Sequence, residues 1–399
     1  MDKIAKKDNL KQNVILLGLV SFLNDLSSEM ILPILPRFIT LLGGSSLAIG
    51  LIGGLMESIS SILKVFCGYL SDKTGKRKIF VFSGYFTSSI FKLMLAFSKV
   101  WQHVLVFISF ERVGKGLRTA PRDAIIADSV VEMERGKGFG IHRSLDTLGA
   151  IFGSLLTVIL LWLSFKLNLI ILIAAIASFL SLIPLNFVKE VKSKKQDVSL
   201  NIGLKMLPKH LKLFILVSAV FALANFSYMF FILKAQETFL NKMGMFGEII
   251  PVLLYVLFNV FYAAFAIPFG MLSDKIGREK VIVLGYALFS ITTLGFAFFD
   301  SMFAFVILFA LYGIVFAIID GNQRAFVSDL ATKELRATAL GTYHTTVGLL
   351  TLPSSLIAGF LWQISPTATF IFGSIVSLVS VVLFAIFIRY FKKSKIGMK

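Results

Sequence analysis

A single cysteine, Cys67, stands among 399 residues, so no disulfide can form within the chain, and its apolar surroundings mark it as a packing residue. Histidine is almost as scarce. The four present have no metal-ligand spacing, no metal is expected, and His142 reads as a residue of a membrane interface. No Gly-x-x-x-x-Gly-Lys-Ser/Thr loop occurs, around Lys115 and Lys137 or elsewhere, which removes nucleotide hydrolysis as an energy source. No nucleophile, base and orienting group stand together either, so neither an enzyme nor an organic cofactor is expected. Acids are few, 22 against 40 Lys and Arg, for a formal net charge of +18. That balance would suit nucleic acid, but the bases lie in short connectors between apolar runs and not on one basic domain. Nucleic acid is therefore not expected as a partner.

What is abundant is apolar: hydrophobic residues make up 57% of the chain, with 41 Phe, and they come in runs without amphipathic spacing. Windows long enough to cross about 30 Å of hydrocarbon predict spans near 14–41, 47–71, 79–98, 103–127, 138–163 and 167–188. A second set follows near 211–236, 248–273, 280–299, 302–327, 338–362 and 367–390. Barrel strands would alternate in polarity and these runs do not, which leaves helices. The predicted fold is an all-α polytopic membrane protein of twelve transmembrane helices in two six-helix bundles. The bundles cover residues 1–188 and 211–399 and are joined by a Lys-rich cytoplasmic linker over 189–210. A monomer surrounded by lipid bilayer is expected. The basic start (Lys3, Lys6, Lys7, Lys11) leads into the first run with no small-residue cleavage site, so that run is expected to stay as an anchor. Lys and Arg crowd one side of the predicted topology. By the positive-inside rule both termini and the linker face the cytoplasm, and the cell membrane is the expected location.

The chain also contains itself twice. Gly-Tyr-Leu-Ser-Asp-Lys-Thr-Gly-Lys-Arg-Lys, from Gly68 to Lys78, returns as Gly-Met-Leu-Ser-Asp-Lys-Ile-Gly-Arg-Glu-Lys from Gly270 to Lys280. Each copy is a tight basic turn between two apolar runs, with Gly75 or Gly277 where the backbone reverses and Asp72 or Asp274 among the bases. Asn24 and Asn225, Asp128 and Asp329, Arg135 and Arg336, and Gly140 and Gly341 recur at nearly the same separation. Six spans return the chain to its starting side, so the halves run in the same sense. Two such bundles about an axis along the membrane normal would enclose a cavity.

These residues resemble the major facilitator superfamily over essentially the whole chain. Gly68, Asp72, Gly75, Arg77 and the flanking bases are similar to that family's loop motif between helices 2 and 3, and Gly277 with Arg278 belongs to a weaker copy between helices 8 and 9. Arg112 followed by Gly116 resembles the family's second motif, in helix 4. Within the family the likeness is to the drug/proton antiporters, although the fifth span has Gly149 and Gly153 and lacks the antiporters' proline. The resemblance implies twelve helices, a central cavity and alternating access. In a cytoplasmic gate, Asp72 is expected to face the start of the eleventh helix near Thr338–Gly341, and Asp274 the start of the fifth near Gly138–Gly140. Asp128 and Asp329 would hold the Lys and Arg of the turns.

An ionisable group in hydrocarbon costs on the order of 3 kcal/mol or more and needs a partner or water. Asp25 and Glu29 share a face of the first helix and together can hold a proton. Arg112, at a similar depth in the fourth, is expected to pair with them. Glu57 and Asp146 are further proton-coupling candidates, Asp146 reading as the local partner of Arg143. Arg112, Lys115 and Arg122 form a basic stripe, with Arg118 and Arg122 expected to reach the cytoplasmic surface near Asp123 and Asp128. In the second half Asn225, Phe226, Tyr228, Tyr255, Asn259 and Tyr262 offer aromatic groups with polar tips. With Asn24 and Lys115 they are the cavity candidates for a bulky, partly apolar ligand. The function expected is secondary active transport of a small-molecule substrate, driven by a proton gradient, as export of amphipathic organic compounds. The alternatives are uptake or exchange of an organic anion on the basic face of the fourth helix and, outside transport, a membrane receptor or scaffold.

Overall fold

The computed structural model describes residues 2–130, 135–190, 207–240, 242–332 and 335–396, and no strand occurs among them. The first half holds α1 (Asp2–Ile31), α2 (Leu35–Leu41), α3 (Ser46–Thr74), α4 (Lys78–Ala96), α5 (Trp101–Ser129), α6 (Arg135–Trp162), α7 (Leu167–Leu180) and α8 (Leu182–Phe187). The second holds α9 (Lys209–Ala224), α10 (Met229–Phe239), α11 (Met245–Ile276), α12 (Arg278–Phe298), α13 (Met302–Leu330), α14 (Arg336–Ile364) and α15 (Pro366–Ile396). Eleven stretches among the described residues are long and apolar enough to cross a membrane. Helix α5 has the length but is set apart by its charge, with Glu111, Arg112, Lys115, Arg118, Arg122 and Asp123 along it. With α7–α8 and α9–α10 each counted as one crossing, the transmembrane helices are the expected twelve. Only helices satisfy every backbone group within the segment, which is why the apolar runs take this form.

Three predicted spans are interrupted, that over 167–188 only at Ser181 between α7 and α8. The run over 14–41 ends as a helix at Ile31, because Pro33 falls in the following turn and Pro36 opens α2. The run over 211–236 unwinds at Asn225–Tyr228, where the Ser227 amide donates to Ser355 Oγ at 3.1 Å and the Met229 amide to Ser227 Oγ at 3.3 Å. Side-chain oxygens there replace the helix's own carbonyls.

The chain forms two compact units, residues 1–44 with 59–200 and residues 45–58 with 201–399. Most of the linker expected over 189–210 lies outside the described residues. The first part of α3 thus packs with the second unit, although the sequence places the whole span in the first bundle. Small residues cause this: Ser46 Oγ donates to the Gly359 carbonyl at 3.0 Å, Ser58 Oγ to that of Gly348 at 2.6 Å, and a Cβ at Gly54 would lie 2.8 Å from Leu352 Cα. In the first unit α6 lies on α1 in the same way. A Cβ at Gly149 or Gly153 would run into the carbonyl oxygens of Phe22 and Leu26, so the two glycines let the helix backbones touch. The interior of the second unit is aromatic. Phe231 stacks on Tyr312 at 4.1 Å and meets Phe226, Phe296 and Phe370, while Phe221 stacks on Tyr286 at 3.9 Å.

The repeated turns share their glycine reversal, although three residues separate α3 from α4 and one separates α11 from α12. Gly75 has φ +68° and its amide donates to the Ser71 carbonyl at 2.9 Å; Gly277 has φ +100° and donates to that of Ser273 at 3.0 Å. Ser71 and Ser273 in turn donate to the carbonyls of Gly68 and Gly270. At positive φ a side chain costs about 1–2 kcal/mol, so Gly75→Ala and Gly277→Ala are expected to lower the melting temperature of the purified protein. Gly153→Leu should lower it further. Gly140→Ala, where a Cβ meets nothing within 4 Å, should leave it unchanged.

Candidate functional site

In the first unit the charged side chains of α1, α4, α5 and α6 meet. Asp25 on α1 and Asp146 on α6 are half-buried, and their carboxyl groups are close enough for one hydrogen bond if a proton lies between them. Asp146 also takes Arg143 Nη1 at 3.0 Å, the local pair its spacing suggests. Glu29, one turn along α1, and Lys115, exposed on α5, act on Asp25 through their charges. Close α1–α6 packing at Gly149 and Gly153 is what brings the two acids together. Their approach was not legible in the sequence, where Asp25 has Glu29 as its nearest acid.

Arg112 differs from expectation. Its Nε lies 3.1 Å from Glu111 Oε2, both side chains about 5% exposed. At that atom a pair between chain neighbours takes the place of the expected pair with Asp25, because the guanidinium folds along its own helix. Arg118 also differs. It does not reach the surface: it is 3% exposed, lies over the Tyr85 ring at 4.5 Å and donates to Ser88 Oγ at 2.5 Å. It can do so because α4 and α5 touch at Gly84 and Gly114, too closely for a Cβ on either. Arg122 pairs with Asp123 at 2.9 Å and donates to Ser21 Oγ at 3.0 Å. His142, expected at a membrane interface, is buried within the first unit.

One charge escaped the sequence reading altogether. Lys92 on α4 is 2% exposed, and its Nζ donates to the Asn24 carbonyl at 3.2 Å, Asn24 Oδ1 at 3.4 Å, Ser27 Oγ at 3.1 Å and Ser28 Oγ at 2.9 Å. A lone lysine deep in an apolar run was the signal. Asn24, expected to line a cavity, is 1% exposed because this contact holds it inward.

At the repeated turns an arginine sits between two acids. Arg77 Nη2 is 3.0 Å from Asp72 and its Nη1 pairs with Asp128; Arg278 is 3.0 Å from Asp274 and 2.5 Å from Asp329. The arginine is shifted by one place between the copies, five residues after Asp72 but four after Asp274, and it reaches the equivalent acids both times. Gly68 packs against Ala120, where a Cβ would lie 3.1 Å away. Glu57 lies exposed on the part of α3 that belongs to the second unit.

Of the aromatic candidates, Tyr228, Tyr255, Phe258 and Tyr262 form a ladder with ring centroids 5.7, 5.7 and 6.3 Å apart, and Tyr262 donates to Asp320 at 2.8 Å. Asn259, between the last two rungs, has an Nδ2 with no partner among the described residues, as has Oδ1 of Asn225 at the break after α9. Phe226 is not part of this surface. It is 1% exposed, wedged among Phe230, Phe231 and Phe370, because unwinding at Asn225 turns its ring into the core.

A family model described as the Major Facilitator Superfamily matches residues 17–250 and again 246–397. The chain belongs to the major facilitator superfamily. An uncharacterized MFS-type transporter of Methanocaldococcus jannaschii is 57% identical over 373 residues, covering 93% of this chain and 94% of the relative. A multidrug resistance protein, MdtH, of Cronobacter sakazakii is 29% identical over 133 residues, 33% of this chain and 32% of its own. Among solved structures the nucleoside transporter NupG matches with TM-score 0.76 at 16% identity, over 95% of this chain and 99% of that one. The POT family transporter PepTSo matches with TM-score 0.80 at 12% identity, over 96% and 98%. At such identities they establish the fold alone. As a member of this superfamily the protein is a multi-pass membrane protein and a secondary transporter.

The Glu111–Arg112 pair generates a stability prediction. Glu111→Gln leaves a buried guanidinium short of its counter-charge, at a cost of about 3–5 kcal/mol. Its melting temperature is expected to fall well below that of Lys115→Gln, whose side chain is exposed.

Proposed function

We propose that this transporter exports amphipathic small organic molecules in exchange for protons, and that Asp25 and Asp146 carry the coupling proton. The contact between those two carboxyl groups is the observation that supports this most directly. Two carboxyls bond to each other only when one holds a proton, and two carboxylates so placed repel strongly. Taking up and releasing that proton changes the charge between α1 and α6, two helices packed without intervening side chains. Such a change can bias an alternating-access equilibrium. No cofactor is required, the proton gradient supplies the energy, and the protein works as a monomer in the cell membrane with both termini cytoplasmic. The aromatic ladder with the free amide atoms of Asn225 and Asn259 suits a ligand that is largely apolar with a few polar groups. The partial likeness to the MdtH proteins agrees with multidrug efflux.

A second reading, transport of an organic anion, draws on the exposed Lys115 beside Asp25. Arg112 is a poor anion ligand here, being 4% exposed and paired. In the gate, the two acid–arginine–acid triads hold the turns against the inner ends of α5 and α13.

Proteoliposomes with an imposed pH gradient, tested against lipophilic cations and organic anions, decide between the readings. Accumulation of cations or neutral amphiphiles that collapses about tenfold or more in Asp25→Asn and Asp146→Asn, with downhill exchange retained, is expected. Gradient-driven flux undiminished in both variants would remove the acids from the mechanism. Uptake of anions alone, abolished by Lys115→Gln, would establish the second reading. Asp72→Asn is expected to slow flux while substrate affinity stays within about twofold, as a gate residue should.

A further inference from the structure

We propose that Lys92 is a positioning residue for the coupling acids, acting on Asp25 through the side-chain amide of Asn24. The inference rests on the proton-coupling role of Asp25 and Asp146. All four oxygens around the Lys92 ammonium come from the single turn of α1 between Asn24 and Ser28, the turn that carries Asp25. Because Lys92 can only donate, the Asn24 amide must present Oδ1 to it, and its Nδ2 is thereby aimed at Asp25 Oδ1, 3.4 Å away. Asp25 Oδ1 is thus held as an acceptor of the amide in the carboxyl group that meets Asp146. The line of contacts runs from ammonium to amide to carboxyl to carboxyl and ends on Arg143.

The second repeat provides an internal comparison. The position equivalent to Asp25 is Phe226 and the one equivalent to Lys92 is Thr293, while Asn225 keeps the asparagine. Where the acid is absent the lysine is absent too. Thr293 bonds only within its own helix, to the carbonyls of Phe289 and Ser290. Ser27 and Ser28 are replaced there by Tyr228 and Met229, so the lysine, its hydroxyl acceptors and the acid are lost as one set.

Other charges face this cluster. Asp25 is faced by Asp146 from α6, Lys115 from α5 and Glu29 from its own helix. Lys92 is faced by Glu111, Arg112 and Arg118 from α5, and Asp146 by Arg122 from α5 with Arg143 and His142 alongside. Helices α7 and α8, also packed on α1, bring no charged residue. Among these groups only Lys92 touches the Asn24 amide that bonds Asp25.

The test is infrared titration of the protonated-carboxyl band of the full chain in lipid nanodiscs. A wild-type band that is lost in Asp25→Asn establishes the underlying reading, and a band unaffected by that substitution defeats it whatever Lys92 does. Given the band, Lys92→Met and Asn24→Leu are each expected to move its midpoint upward by about one pH unit, tenfold in proton affinity, because the ionised acid loses a donor and, in the first variant, a nearby cation. Asn24→Leu keeps the Lys92 bonds to Ser27 and Ser28 and so decides the matter if Lys92→Met does not insert. A folded variant of either kind with lowered melting temperature and an unmoved midpoint would show a purely structural lysine and overturn the inference.

Discussion

Between Lys92 and Arg143 the first unit holds an ammonium, an amide, two carboxyls and a guanidinium in one line of contacts, in a medium where an isolated charge costs on the order of 3 kcal/mol or more. Much of the architecture nearby serves to let these groups reach each other. Glycines at 149 and 153 draw α6 onto α1, and glycines at 84 and 114 draw α4 onto α5. Serines 21, 27, 28 and 88 then solvate the cations in place of water. The close helix contacts and the buried charges depend on one another.

The two halves share a plan and differ in chemistry. Tyr85 and Tyr286 are buried at equivalent places, and a pair of serines joins equivalent helices in each unit, Ser89 with Ser178 and Ser290 with Ser374. Around them several charged positions of the first unit are neutral in the second, although Asp320 and Arg324 keep one ion pair there. Where the first unit has Glu111, Lys115 and Arg122, the second has Tyr312, Phe316 and Gln323 at the equivalent positions. Gln323 completes a neutral network, donating to Tyr286 at 2.5 Å and accepting from Tyr343 at 2.6 Å. A charged interior and an aromatic one thus stand on one duplicated scaffold.

The crossings were readable because hydrocarbon admits only long apolar helices, and the turns because an eleven-residue pattern occurs twice. Where proline or an unwound turn interrupts an apolar run, hydropathy is blind: the breaks at Pro33 and at Asn225 both lie inside predicted spans. Side-chain partners were hard to read. Asp25 and Arg112 were expected at a common level, but rotation about each helix axis decides contact. That rotation is set by small residues such as Gly149 and Gly114, whose packing partners lie far away in sequence. Lys92 was hard to read because it stands alone among apolar residues of α4, with its partners on another helix.

The central claim is that the coupling proton resides on the Asp25–Asp146 pair. Its most direct test is the proton count on substrate binding, measured with purified protein in weakly buffered lipid nanodiscs and a compound already shown to be transported. The compound is expected to displace a proton from the wild type and none from the Asp25→Asn/Asp146→Asn double variant, with binding retained in both. Equal proton release from the two proteins would contradict it.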